Sequence, residues 1–180
     1  MFLEMLTEDL RNHVQDFGNT ICDGNVEFFL DNNFAYYNNN GENDMEISFA
    51  LMFSPLTLQA YSYYCEDLSK KLFGIDVTKG LSYFTICFLH EIGHYETWCD
   101  DEYKKEKKKV EEIEKTLDKL CYHKDEKEFL NYYREYHSLP MEARATVWAL
   151  RYIFNNNGVV RHANDLFVKE LDNIFQIIED

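Results

Sequence analysis

The spacing of hydrophobic and polar positions divides the chain into helical stretches and one region of strand character. Apolar residues recur every three to four positions over 3–17, which predicts a first helix. Two apolar runs follow, Val26–Leu30 and Ile47–Phe53, with an Asn- and Gly-rich stretch at 38–43 between them. Short apolar runs bounded by turn residues predict two strands joined by an irregular loop.

Helical spacing returns after Pro55. It predicts a helix over 56–73 that ends at Gly74, and a further helix that Asp76 or Thr78 caps. This further helix contains GLSYFTICFLHEIGHYETW, which is apolar on nearly all sides until His90. Because a helix of that kind has no face for water, we expect it to lie in the centre of the domain.

Residues 101–137, named here the charged insert, are dense in Lys and Glu around regularly spaced apolar residues. This pattern predicts an exposed amphipathic helix, a break near residues 122–124 and a second helix. Two more helices are predicted, from Pro140 to the stretch at 155–158 and from about Asn164 to Ile178. We therefore predict one α+β domain over 1–180, mostly helical, with a small β-sheet before the buried helix.

Composition and charge restrict the possible partners. Apolar residues make up 46% of the chain, and the net charge is −15, so we expect a folded protein with an acidic surface. Such a surface repels phosphate groups, which argues against nucleic acids and membranes as partners. The absence of a membrane-length apolar stretch and of signal-peptide features predicts a cytoplasmic location. Five cysteines without a Cys-x-x-Cys pair predict reduced, mostly buried thiols.

The segment FLHEIGHYE, residues 88–96, carries candidate chemistry. On a helix, His90 and His94 lie on the same face and can bind one ion. Glu91 lies beside that face, too far round for a ligand but close enough to hold a water molecule that the ion activates. H-E-x-x-H occurs in zinc hydrolases for this reason, and the glutamate moves the proton of the water to the leaving amine.

A catalytic zinc ion also needs a third protein ligand and an open position. The residues after His94 lack the metzincin pattern. The remaining candidates for the third ligand are Asp100, Asp101, His123, His137, Glu142 and His162. Glu142 stands out because Ala143, Ala145, Thr146 and Ala149 let its helix approach another backbone closely, although an acid in a first turn also suits the helix dipole.

HEIGH followed by LPMEARATVWA on a separate helix resembles the gluzincin type of zincin metallopeptidase, most closely the minimal gluzincins and the ImmA/IrrE-like enzymes of bacteria and phages. The resemblance implies a zinc-dependent peptidase with His90, His94 and Glu142 as ligands and Glu91 as general base. It implies limited cleavage of an intracellular protein. It also implies that the strand Glu46–Phe53 is an edge strand that holds the substrate peptide by β-augmentation.

The chain departs from that family in three respects. The spacing from His94 to Glu142 is 142 − 94 = 48, longer than in the compact members, and the charged insert accounts for this as a lid, a docking arm or a surface elaboration. Many members carry an acid where this chain has Thr146, so we expect Asp100, Asp101 or a backbone carbonyl to orient a ligand histidine. For the oxyanion we predict His162.

Two other functions compete with a peptidase. One is a non-catalytic, zinc-stabilised protein-binding module whose working surface is the 101–137 helical hairpin. The other is a helical protein without a metal ion. Among metals, a site of two His and one carboxylate favours Zn over Mn or Co.

Overall fold

The computed structural model describes residues 2–22, 26–31, 36–39, 45–50, 55–123 and 126–179. Seven helices and three strands lie within these residues, and the domain is mostly helical, as predicted. The elements are α1 (Phe2–Asn19), β1 (Val26–Asp31), β2 (Tyr36–Asn39), β3 (Met45–Ala50), α2 (Pro55–Phe73), α3 (Tyr83–Thr97), α4 (Asp100–His123), α5 (Glu126–His137), α6 (Pro140–Asn155) and α7 (Asn157–Glu179).

The described strands form one sheet in the order β1–β3–β2. Strand β3 pairs in parallel with β1 and antiparallel with β2, so that Ile47 lies opposite Phe28 on one side and Tyr37 on the other. The sequence predicted two strands and missed β2, because asparagine is uncommon in strands and half of this one is asparagine. Strand β3 also begins two residues earlier than predicted, at Met45.

The central position of β3 corrects one prediction. Residues 46–48 pair with both β1 and β2, so this part of the Glu46–Phe53 segment is not an edge strand and offers no free edge to a peptide. Residues 49 and 50 pair with β1. Residues 51–53 lie outside the described residues. Among the described strands, the edges belong to β1 and β2, and β2 lies against α3.

Helix α3 is the buried centre of the fold, as its all-round apolar sequence predicts. Every residue from Phe84 to His94 is buried. The ring of Phe88 packs against Phe17 of α1, with ring centroids 5.5 Å apart. It also packs against Phe28 of β1 and Phe167 of α7, both at 5.6 Å. Elements from both ends of the chain therefore enclose the helix that carries HEIGH.

The start of α3 differs from the prediction. Asp76 and Thr78 hydrogen-bond to each other in a local turn, and neither caps the helix. Gly80 then adopts a φ of +80°, which directs the chain away from a helical path. The hydroxyl of Ser82 caps α3, which begins at Tyr83.

The charged insert forms two helices, α4 and α5, as predicted. Helix α4 includes residues 122 and 123, where the break was predicted to begin, and residues 124–125 lie outside the described residues. Helix α7 begins at Asn157 and not near Asn164, because Asn156 ends α6 and its carbonyl also accepts the first hydrogen bond of α7, from the amide of Val160, at 3.0 Å. Of the four cysteines whose side chains are described, Cys22, Cys65 and Cys87 are buried and Cys99 is partly buried. Within the described part of the chain, no helix is both long and apolar enough to cross a membrane.

Candidate metal centre

Helices α3 and α6 bring His90, His94 and Glu142 together. Nε2 of His90 lies 3.2 Å from Oε2 of Glu142, and Nε2 of His94 lies 3.4 Å from Oε1 of the same carboxylate. Among the described His, Cys, Asp and Glu residues, these three form the group whose ligand atoms all lie within 4.8 Å of one another. The structure therefore joins the three residues that the sequence predicted as metal ligands.

Small residues permit this approach of the two helices. Gly93 of α3 contacts Ala145 of α6, and Ala145 and Ala149 are both fully enclosed. Glu142 and Ala145 are three positions apart and so share one face of α6. The sequence prediction that this helix packs closely against the HEIGH helix is confirmed.

Thr146 orients His90, which corrects the expectation that Asp100, Asp101 or a backbone carbonyl does so. Its Oγ1 lies 3.0 Å from Nδ1 of His90, and the same hydroxyl donates to the carbonyl oxygen of Glu142 at 3.0 Å. Since the hydroxyl proton is used on that carbonyl, Oγ1 accepts from His90, and Nδ1 must carry a proton. The other ring nitrogen of His90, Nε2, faces Glu142 and is the one that could bind a metal ion.

The buried carboxylate of Glu142 needs a positive charge close to it. In the absence of a metal, His94 supplies a proton: burial disfavours its charge, but the Glu142 carboxylate outweighs burial and raises the pKa of His94 to about 9. Burial likewise disfavours the charge on Glu142, and His94 and His90 nevertheless hold its pKa well below the ordinary value. The site is thus built around a carboxylate that needs positive charge.

Glu91 lies on α3 beside the ligand face and is only 6% exposed. Burial raises the pKa of this carboxyl, although the neighbouring His90 and His94 oppose the shift and Glu142 adds to it. A carboxylate with a raised pKa takes up a proton more readily than one in water. This buried carboxyl is therefore easier to protonate than one in water.

His137, at the end of α5, is a residue of the site that the sequence offered only as one of six possible third ligands. Its Nδ1 lies 3.9 Å from Oε2 of Glu142, too far for a hydrogen bond. Both ring nitrogens are buried without a hydrogen-bond partner among the described residues. Burial lowers the pKa of His137 to about 3, against the effect of Glu142, so the ring is neutral.

Aromatic rings fix the position of His137. The ring centroids of Tyr133 and Tyr61 lie 4.5 and 4.9 Å from that of His137, and Tyr64 lies at 5.2 Å. The hydroxyl of Tyr64 also donates to the backbone carbonyl of His137 at 2.7 Å. No periodic pattern signals this arrangement, because it joins α2 and α5, which the sequence places far apart.

The other predicted candidates lie elsewhere. Asp101 is exposed at the start of α4, and the side chains of Asp100 and His123 lie outside the described residues. His162 is exposed on α7, and none of the described contacts joins it to the three clustered residues. Its predicted role at the oxyanion has no support from its placement.

No protein-family model matches this chain, and neither a curated protein nor a solved structure matches it. The functional argument therefore depends on the geometry of the site.

Proposed function

We propose that the protein is a zinc-dependent metallopeptidase of the gluzincin type. The observation that supports this most is the arrangement of His90, His94 and Glu142, with the imidazole and carboxylate atoms 3.2 and 3.4 Å apart. Ligands held about 2.0–2.1 Å from a tetrahedral zinc ion are separated by roughly 3.3–3.4 Å. The residues present therefore fit the ion, and the buried carboxylate of Glu142, which needs positive charge beside it, gives the ion a chemical reason to bind.

The bound ion would supply acidity to a water molecule and polarise a peptide carbonyl. Glu91 takes the proton from that water as its oxygen adds to the carbonyl carbon, and delivers the proton to the nitrogen as the C–N bond breaks. A neutral His137 has one N–H to donate, and we assign it a hydrogen bond to the reacting oxygen in place of His162. Thr146 holds His90 in the tautomer that ligation requires.

An extended segment of a protein substrate fits the outer edge of β2 better than the predicted Glu46–Phe53 strand. Strand β3 is paired on both sides over residues 46–48, whereas β2 has no described strand beyond it. Strand β2 also lies against α3, which carries Glu91. Main-chain pairing along this edge would present a peptide bond near the site.

A zinc-stabilised, non-catalytic binding module is the second candidate. The burial of all three ligands and of Glu91 favours it, since a structural site is closed to water. In that protein the charged insert would be the binding surface. The two candidates differ in whether Glu91 is needed for a reaction.

Metal content and peptide cleavage test the proposal together. Mass spectrometry should find about one zinc ion in the wild-type protein and little in His94→Ala or Glu142→Ala. A lysate incubated with the wild-type protein should gain new peptide amino termini that the Glu91→Gln variant does not produce, although this variant keeps its zinc. Zinc without such termini would favour the binding module, and a wild-type protein that takes up no added zinc would exclude both.

A further inference from the structure

The start of α6, next to the proposed ligand Glu142, lacks a cap from its own sequence. The N-cap residue is Leu139, which makes no side-chain hydrogen bond to the helix. The first amides of a helix have no partner inside it and need an acceptor. Pro140 removes one of these amides, but the amide of Met141 remains.

Helix α4 supplies the missing acceptor. The amide of Met141 donates to Oε2 of Glu106 at 3.4 Å, across 35 positions of sequence. A carboxylate at this position also favours the positive end of the α6 dipole. Glu106 is partly buried, unlike most of the lysines and glutamates around it.

A second contact joins the same two helices one turn away. Glu102 of α4 forms an ion pair with Arg144 of α6, and both side chains are about one-third exposed, at 37% each. Glu102 and Glu106 are four residues apart, so they lie on one face of α4. Their contacts reach residues 141 and 144, which lie on either side of Glu142.

The opposite part of α4 has a different character. Lys108 and Glu112 pair with each other along the helix at 3.8 Å, and their side chains are 88% and 65% exposed. Pairs of this kind contribute little to stability and connect nothing beyond the helix. The charged residues of α4 thus include two that contact α6, one that pairs with Glu135 of α5, and a pair that lies in solvent.

We propose that Glu102 and Glu106 are positioning residues, which brace the first turn of α6 and thereby hold the Glu142 carboxylate against His90 and His94. The charged insert then has a defined role, because it keeps the third ligand of the site in place. The proposal rests on the proposed function only for its statement that Glu142 binds a metal ion.

Three substitutions separate this role from general charge effects. Glu106→Ala removes the acceptor, Glu106→Gln removes the charge but keeps an acceptor oxygen, and Glu112→Ala removes an equal charge from the solvent face of the same helix. Zinc affinity is measured by competition with a chromophoric chelator. Hydrogen exchange of the Met141 amide is measured by NMR of the metal-free protein. Because a lost cap weakens a helix start, Glu106→Ala should lower zinc affinity about 3- to 10-fold and speed exchange of the Met141 amide.

Glu106→Gln should keep most of the wild-type zinc affinity and most of the protection of the Met141 amide. Glu112→Ala should leave both the zinc affinity and the exchange rate within about twofold of wild type. The proposal is overturned if Glu106→Ala matches the wild-type protein in both measurements, or if Glu112→Ala loses as much affinity as Glu106→Ala. If the wild-type protein binds no zinc, the proposed function fails, and exchange of the Met141 amide alone still decides whether α4 braces α6.

Discussion

Gly93 of α3 and Ala145 of α6 touch backbone to backbone. A Cβ atom added to Gly93 would lie 2.9 Å from the Cα of Ala145 and 3.0 Å from its carbonyl carbon, and closer still to the carbonyl oxygen. Real Cβ atoms essentially never come within 3.0 Å of another heavy atom, and here the neighbour is backbone that cannot rotate away. The glycine inside HEIGH therefore sets how closely the two ligand helices approach.

Substituting Gly93 with alanine should separate α3 from α6 and weaken both the fold and the metal site. Overpacking of this kind costs about 1–3 kcal/mol in the free energy of unfolding, which urea denaturation of the metal-free protein measures. Zinc affinity should fall with it, because Glu142 moves with α6. The matched control is Gly158→Ala in α7, where an added Cβ meets nothing within 4 Å.

The control variant should be neutral or more stable by less than about 1 kcal/mol, since alanine favours helix more than glycine does. Equal stability of the Gly93→Ala and Gly158→Ala proteins would mean that the two ligand helices can move apart without cost. In that case Gly93 would have no special role in the site.

Thr146 offers a test of the ligand tautomer. The variant Thr146→Val keeps a similar shape but removes the hydroxyl that accepts from His90, in a position that is fully buried. Loss of a hydrogen bond that orients a metal-binding histidine typically lowers metal affinity about 10- to 100-fold. Chelator competition on Thr146→Val and Thr146→Ser should show that loss for valine, and a much smaller one for serine, which keeps the hydroxyl. Equal affinities of the two variants would count against the proposed tautomer.

The parts of the fold and site that could be predicted from the sequence are those that depend on local spacing. His90 and His94 share a helix face wherever the helix lies, and the apolar run before them makes the helix central. The small residues around Glu142 likewise indicate a helix that packs closely against another. The order of the strands could not be predicted, because nothing in the sequence of β3 distinguishes a central strand from an edge strand when its neighbours are so short.

Thr146 and His137 lie beside the candidate site through tertiary contacts that the sequence does not reveal. From the sequence, Thr146 shows only that no acid occupies this position. Its hydroxyl can still orient His90, because it donates its own proton to the carbonyl oxygen of Glu142, one turn earlier in α6. His137 is indistinguishable from five other candidates until α2 and α5 enclose it with tyrosine rings. The sequence gives no reason to prefer His137 over His162, yet the side chain of His162 is exposed to solvent. Burial, which decides between such histidines, is a property of the whole fold.

Replacing His137 by phenylalanine should remove catalysis but keep the packing. Phenylalanine fills a similar space between Tyr61 and Tyr133, and it removes two buried nitrogens that have no hydrogen-bond partner among the described residues. If the ring donates to the reacting oxygen, kcat for a cleaved peptide should fall on the order of 10²-fold while zinc affinity stays within about twofold. His162→Ala is the matched control and should keep the wild-type kcat. If kcat falls in His162→Ala and not in His137→Phe, the hydrogen bond to the reacting oxygen belongs to His162.

The acid stability of the protein should also depend on His137. Burial lowers its pKa to about 3 in the folded protein, whereas an unfolded chain restores the ordinary value near 6.5. Between these values the unfolded state binds a proton that the folded state does not, so the free energy of unfolding falls as the pH falls through this window. The contribution of one such group is at most about 1.4 kcal/mol per pH unit.

The difference between the wild-type protein and His137→Phe isolates this contribution, because the remaining titrating groups are shared. Urea denaturation of both metal-free proteins at pH 7, 6, 5 and 4 should show the variant gaining stability relative to wild type below about pH 6.5, with little change above it. A difference that stays constant across this range would mean that His137 takes up a proton while folded. The ring would then be a cation beside Glu142 below about pH 6.5, and burial would not keep it neutral there.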